Sequence, residues 1–433
     1  MASMHLSHHS ARPSVARVST MTGSQTAGIG VWQGHLGDSR EYRRILIALV
    51  CAGIATFAQL YSPQGILPEV AGALRITPDQ SALLISAATI GLAAGVLPWS
   101  WVADRIGRLN AMNCSVVAAT VLGFAVIACP SFGGILALRV AEGIAVGGVP
   151  ALAITYLQEE IHPRHAAVAA GTYVAGTTIG GLLGRIVAAP VASWLGWRWG
   201  VGAVVVLAAL AAAGFMLLVP RARGFRKTPA AERVSLVHLV LGHLRSPAQL
   251  VLYAQGFLLM GGFVTIYNYL AFRLTGAPFD LPTGITSLLF LAYLAGTWSS
   301  RRAGRAAAQH GRLPVLLVST ATMLGGVLLT LLPMLLFVLV GLAVFTIGFF
   351  GAHAVASGWT AADATAGRAQ ATSLYNLFYY LGSSIVGWAG GVVFTHAGWD
   401  ATALTVAGLA LVAGCAALVV LGRRSDAPMR AHA

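Results

Sequence analysis

The sequence predicts an all-α integral membrane protein: twelve transmembrane helices in two pseudo-symmetric six-helix bundles. Three observations carry that prediction. Hydrophobic residues make up 57% of the 433 residues and charged residues only 9%, with a positive mean hydropathy, whereas a soluble globular chain carries about a quarter charged residues. Apolar runs of about 20 residues, the length that crosses a bilayer as a helix, recur along the whole chain. The basic residues collect in alternate gaps between those runs, and the longest polar break divides the runs six and six.

Taken in order, the first span falls near 45–66, after Arg40, Arg43 and Arg44. The second and third, near 81–101 and 111–129, are joined by "WSWVADRIGRLN". Its Asp104, Arg105 and Arg108 are the only charges across 81–129, and Gly107 supplies the bend. The fourth span, near 133–157, holds Glu142, the one acid well inside a span. The fifth, near 167–192, carries Gly176, Gly180, Gly181 and Gly184 beside Arg185, and the sixth lies near 199–219. The second set falls near 248–270, 284–300, 314–332, 335–358, 370–394 and 401–421.

Of the 27 basic residues, 22 lie before the first span or after the even-numbered ones, so they share one face. Arg75, Arg198 and Arg273 lie on the other face, and Arg139 and Arg185 lie inside spans. By the positive-inside rule both termini are expected in the cytoplasm. The net charge of +14 follows from this topology and calls for no nucleic-acid partner. The basic middle loop also offers a contact for anionic lipid.

The organisation expected is a disordered cytoplasmic tail over 1–42, a six-helix bundle over 43–220, a basic linker over 221–247, a second bundle over 248–424 and a tail over 425–433. The first tail lacks the apolar core of a signal peptide, and Met21 is an alternative start. The linker includes an amphipathic piece, 234–244, suited to an interfacial helix. Cys51, Cys114, Cys129 and Cys415 have no metal-ligand spacing and read as small buried apolar residues.

The halves are related. "SWVADRIGRL" aligns without gaps on "GRAAAQHGRL", matching Ala103 with Ala307, Gly107 with Gly311, Arg108 with Arg312 and Leu109 with Leu313. Further on, "LGWRW" corresponds to "AGWDA" with Gly-Trp in register. Two such repeats with a site where they meet are an architecture of secondary transporters.

These residues resemble the major facilitator superfamily. "ADRIGR" is similar to its loop signature, with Asp104, Arg105, Gly107 and Arg108 matched, Ser100 in place of a glycine and Leu109 in place of a final basic residue. The second copy keeps Gly304, Gly311 and Arg312 but has Ala308 where the aspartate would be. "LRVAEGIAVGG" resembles an Arg-x-x-x-Gly motif through Arg139 and Gly143. "GTTIGGLLG" resembles an antiporter motif, with Gly176, Gly180 and Gly181 matched and Thr177 in place of proline. More narrowly, "FAQLYSPQGILPEV" and "SLYNLFYYLGSSI" are similar to bacterial arabinose-efflux-like permeases of the drug and sugar proton-antiporter group.

The resemblance implies roles. Arg139 is expected in proton coupling, with Glu142 on the same helix face three residues on. The competing reading is a static ion pair that locks two helices. His353, the only histidine inside a predicted span, is either a proton carrier, with an ordinary pKa near 6.5, or one helix-to-helix hydrogen bond. Arg185 either attracts an anionic substrate or compensates Glu142. Gly176, Gly180 and Gly184 leave a smooth stripe for close helix packing, which in this family suits a sliding contact between halves. Asp104 is expected to face the N-terminal end of the eleventh helix near Ala369 and Gln370, clasping the halves when the outside is open. The lost aspartate at Ala308 leaves only one such clasp.

Polar and aromatic residues gather in three spans that the resemblance turns toward a central cavity. They are Gln59, Tyr61 and Gln64 in the first, Gln255, Tyr267, Asn268 and Tyr269 in the seventh, and Tyr375, Asn376, Tyr379 and Tyr380 in the eleventh. Tyr267 and Tyr269 have an alternative place in an interfacial aromatic belt.

The function expected is proton-coupled export of a small organic molecule, such as a sugar or drug, across the bacterial inner membrane, driven by the proton gradient without a cofactor or metal. Uptake by symport is the alternative. An enzyme is disfavoured because no nucleophile-base or acid-histidine cluster shares one membrane depth, and a sensor because the tail is too short for a soluble domain. No Gly-x-x-x-x-Gly-Lys loop for ATP is present. The partners expected are the small-molecule substrate and the bilayer, with the protein a monomer.

Overall fold

A computed structural model describes residues 32–225 and 236–422. Most of the expected N-terminal tail, the basic residues Arg226, Lys227 and Arg233, the start of the amphipathic piece and the C-terminal tail lie outside the described residues. The first helix, α1 (Arg40–Tyr61), begins where the Ser39 side chain accepts a hydrogen bond from the Tyr42 N–H. It ends because the next residues are Ser62 and Pro63, and the proline nitrogen has no hydrogen to donate back to the Gln59 carbonyl. A short 3₁₀ turn, Gln64–Ile66, leads into α2 (Leu67–Leu74). The expected first span is therefore helix to Tyr61 and a break beyond it.

The first half continues through α3 (Pro78–Ile106), α4 (Arg108–Ala128), α5 (Phe132–Val146), α6 (Gly148–Glu160), α7 (Pro163–Leu195) and α8 (Trp197–Leu218). A linker helix, α9 (Leu236–Leu244), precedes the second half: α10 (Pro247–Thr275), α11 (Thr283–Thr286), α12 (Ala292–His310), α13 (Arg312–Leu329), α14 (Leu335–Asp363) and α15 (Arg368–Ala416).

One turn recurs four times. Gly107, Gly196 and Gly311 have φ of 90°, 88° and 89°, and Gly398, inside α15, has φ of 75°. An L side chain rarely adopts this backbone, so glycine is required at each turn. Gly107 and Gly311 join the second helix to the third of each half, and Gly196 and Gly398 join the fifth to the sixth. The half-to-half repeat of the sequence is thus matched in the backbone at two turns of each half.

Among the described residues ten helices are long and apolar enough to cross a membrane. The turn at Gly398 divides α15 into two arms. Between α10 and α13 lies the broken run of α11, the 3₁₀ turn Ser287–Leu291 and α12, which Arg301, Arg302 and Arg305 make more polar than the other long helices. Dividing α15 at Gly398 and adding this run to the ten accommodates the twelve spans expected, among the described residues.

Buried apolar side chains form three clusters in the first half and one continuous cluster, including Phe263, Phe345 and Phe349, in the second, which Ala82 of α3 joins from across the seam. Large apolar residues such as Trp194, Leu217 and Leu97 face outward, as lipid contact requires. The ends of the linker dock on their own halves: Arg223 and Gly224 donate backbone N–H groups to Glu160 Oε1, each at 2.7 Å, and the His243 ring lies 3.2 Å from the Gly367 carbonyl. The cysteines depart from expectation. Cys114 and Cys415 are exposed and Cys51 and Cys129 half-buried, because they fall on outer helix faces that the hydropathy of a span does not distinguish from inner ones.

Candidate functional site

A cavity of about 770 Å³ lies between the halves, lined by α1, α7, α10, α12, α14 and α15. It runs along α7 from Arg185 to Val168, which at 1.5 Å per residue is roughly 25 Å. Val168 lies near the start of α7 and is exposed, and Arg301 on the mouth side lies toward the Gly311 turn. The cavity therefore opens at the end bearing the linker and the turns at Gly107 and Gly311.

At the other end the halves touch. Thr395 donates to Asp79 Oδ1 at 3.0 Å, Ser86 donates to the Ser384 carbonyl at 2.8 Å, and the Thr89 and Ser384 hydroxyls are 2.6 Å apart. Gly391 permits this approach, since a Cβ there would stand 2.8 Å from the Asp79 Cα. Beside this seam Gln64 Nε2 donates to Asn268 Oδ1 at 2.7 Å.

Arg185 closes the deep end. Its Nε donates to Gln64 Oε1 at 2.7 Å, one Nη to the Gly181 carbonyl at 2.5 Å and the other to the Tyr293 hydroxyl at 3.4 Å. Its guanidinium carbon is 4.2 Å from the Tyr61 ring centre and 5.0 Å from those of Phe290 and Tyr293, a cation–π setting that partly replaces lost hydration. It is buried, and no carboxylate of the described residues is within ion-pair distance. Its guanidinium therefore compensates no acid directly, Glu142 included.

Arg139 and Glu142 form a buried pair at 2.7 Å inside the first half, off the cavity wall. Arg139 does more than pair. It donates to the Leu60 carbonyl at 2.6 Å, the Gln59 carbonyl at 3.2 Å and the Leu84 carbonyl at 3.1 Å. The first two are left without normal helical partners by the break after Tyr61. A cation at a helix C-terminus also complements the helix dipole.

Tyr379 and His353 also line the cavity. His353 Nδ1 is 2.9 Å from the Tyr375 hydroxyl, so its helix-to-helix bond and its access to the cavity coexist. The other expected cavity residues are elsewhere. Gln59 turns back to the Ala55 carbonyl and packs on Gly123, while Gln255 donates to the Ala413 carbonyl between α10 and the last arm of α15. Asn376 is exposed, and Gln64 Nε2 bonds Asn268 Oδ1 in the closed end. For Gln59, Gln255, Gln64 and Asn268 the reason is common: an amide in a membrane helix takes the nearest carbonyl or amide it can reach. Tyr267 and Tyr269 belong neither to the cavity wall nor to a belt; both are buried, bonded to Thr346 and to the Gly387 carbonyl.

The glycine stripe also has a different neighbour from the one expected. Gly176, Gly180 and Gly184 pack on α1 within the same half, where added Cβ atoms would meet Val50, Ile54 and Ala58 backbone. Only Gly181, on the adjacent face, reaches the cavity. In the loop motif, Asp104 pairs with Arg108 at 2.6 Å, Arg108 reaches Glu159 at 3.4 Å, and Arg105 lies over Trp101. Asp104 is thus held within its own half while the opposite end is closed. Gly311 makes the matching turn, and Arg312 is exposed.

Sequence reasoning missed Phe57, Phe263, Tyr293, Phe349 and Phe350 in the wall and Ser86, Thr89 and Ser384 in the seam. An aromatic ring in an apolar run carries no mark of which side it faces.

The comparisons agree with this geometry. The sequence model of the Major Facilitator Superfamily matches residues 45–366. The Escherichia coli K12 inner membrane transport protein YnfM is 39% identical over 373 residues, covering 86% of this chain and 89% of that protein. The Bacillus subtilis 168 uncharacterized MFS-type transporter YybF is 36% identical over 359 residues, covering 83% and 88%. Among solved structures, a bacterial homologue of the human lysosomal transporter Spinster, inward-facing and occupied, superposes with a TM-score of 0.74 at 14% identity over 89% of this chain and 98% of that one. A D-xylose-proton symporter superposes at 0.70 with 16% identity over 87% and 97%. The chain belongs to the major facilitator superfamily and is a multi-pass membrane transporter.

Proposed function

We propose that the protein exports a small organic molecule across the bacterial inner membrane by alternating access, exchanging it for protons. The observation that carries this reading is the cavity between the halves, open at one end and closed at the other by hydrogen bonds between them. With the linker end in the cytoplasm, as the basic residues indicate, the cavity receives substrate from inside. The name of the Escherichia coli relative supports the inner membrane.

The buried Arg139–Glu142 pair is the proposed proton site, since ionisable groups inside a membrane are costly to keep without a use. Protonating Glu142 removes the partner that holds Arg139, and Arg139 holds the break of α1, whose next residue Tyr61 lines the cavity. Such a link lets a proton shift the population between access states. In the outward-open state Asp104 is the proposed clasp toward the start of α15. The wall favours a molecule with an apolar body over a sugar, because the amides that would read hydroxyls lie elsewhere. Uptake by symport has one observation in its favour, the Thr177 that replaces the proline of the antiporter motif.

Inverted membrane vesicles test this. An imposed pH gradient should drive accumulation of a labelled candidate, and an uncoupler should abolish it. Accumulation that survives the uncoupler, or gradient-driven movement only in the opposite direction, overturns the export reading.

A further inference from the structure

We propose that the cargo is a small organic anion, a carboxylate on a flat apolar body, with Arg185 as its charge partner. The inference rests on the transporter reading and narrows its substrate class. The cavity wall carries two arginines, Arg185 at the deep end and Arg301 at the mouth, and no aspartate or glutamate. A cationic molecule would find no counter-charge there. An anion entering past the exposed Arg301 moves toward Arg185 down a favourable potential.

Arg185 is also built for a carboxylate. Three of its five N–H donors are engaged, by Gln64, Gly181 and Tyr293. The planar guanidinium retains donors on its Nη atoms, the fork that matches a carboxylate's two oxygens. Burial at 3% exposure strengthens that interaction relative to water. By contrast, the other fully buried arginine, Arg139, has its own acid at 2.7 Å.

The rest of the wall selects the body of the molecule. Tyr61 and Tyr293 flank the guanidinium, and Phe349, Phe350 and Tyr379 continue the aromatic surface toward His353. The threonine hydroxyls of the wall are turned inward on their own helices: Thr172 donates to Val168, Thr177 and Thr178 to Val174, and Thr297 to Tyr293. A polyhydroxylated molecule would find these threonine donors already engaged. A flat apolar acid does not need them.

Titration calorimetry on the purified full-length protein tests this without any gradient. The probes are benzoate, salicylate and hexanoate, their neutral amides, and benzylamine. At least one carboxylate should bind, at least tenfold tighter than its amide and than benzylamine. Arg185→Gln should weaken that binding at least tenfold, and Arg185→Lys, which keeps the charge but loses the fork, should fall between. The amide series on the unaltered protein decides the matter if Arg185→Gln does not fold. Equal binding of amide and acid, tighter binding of benzylamine, unchanged carboxylate binding by a folded Arg185→Gln variant, or no carboxylate binding at millimolar concentration overturns the proposal. Carboxylate binding with no proton-driven flux in vesicles leaves the anion class standing and removes the coupling.

Discussion

Arg139 and Arg185 stand on different helices and grip the same break in α1. Arg139 takes the Leu60 carbonyl at 2.6 Å from one side, and Arg185 takes Gln64 Oε1 at 2.7 Å from the other, with Tyr61 between them against the Arg185 guanidinium. Residues 59–64 are therefore touched by both the buried ion pair and the deep end of the cavity. A helix break is where backbone can reorient at least cost, because its carbonyls are already outside the helical ladder. The two arginines bring the proposed proton site and the proposed cargo site to one helix break.

Arg139→Ala should destabilise the protein by about 3–5 kcal/mol, because Glu142 loses its partner in a dry interior and three carbonyls lose their donor. Glu142→Gln should cost less, since Arg139 keeps its carbonyl bonds. Both should lose gradient-driven flux. Thermal unfolding in detergent beside vesicle flux separates the effects; full coupled flux in either variant would remove the pair from the mechanism.

Asn268→Leu breaks the bond from Gln64 across the halves and leaves a buried amide unpaired, a loss of about 1–3 kcal/mol from the closed end. The population should shift toward the state open at that end. Spin labels at Val168→Cys and Arg305→Cys, in a background without other cysteines, should report a shorter distance across the cavity mouth. An unchanged distance distribution counts against the seam as a gate.

Asp104→Asn should change stability by less than about 1 kcal/mol, since the pair with Arg108 is half-exposed. If Asp104 clasps the start of α15 when the other end opens, the variant should nevertheless slow transport and hold the mouth wide in the same distance measurement. Normal flux with a normal distance distribution would leave Asp104 a local ion pair only.

Gly180→Ala should lower the melting temperature, because its Cβ would stand 2.6 Å from the Ile54 Cα and force α1 and α7 apart, an overpacking cost of about 1–3 kcal/mol. Gly171→Ala on the same helix meets open space and should be neutral or stabilising by about 0.5–1 kcal/mol. Equal melting temperatures for the two variants would contradict the packing assigned to the stripe.

Much of the architecture was legible in the chain. Apolar length marks the crossings, and Gly107, Gly311 and the paired Gly-Trp steps mark the turns, because each is a local property: lipid thickness sets the run, and a positive φ calls for glycine. The charged pair Arg139–Glu142 was legible for the same reason, through helical spacing alone. The break at Pro63 was present in the letters but masked by the hydrophobicity around it, so the first span read longer than its helix.

The sequence by itself determined that this protein spans a membrane, where its turns lie, and which buried charges it must satisfy. Only the tertiary structure decided which side chains meet: Arg185 with Gln64 and Tyr293, the glycine stripe with α1, Gln255 with the last arm of α15. The physical reason is that lipid and protein interior are almost equally apolar. A residue facing a neighbour and one facing lipid therefore look alike in the chain, and a polar side chain takes whichever partner three-dimensional packing brings within reach.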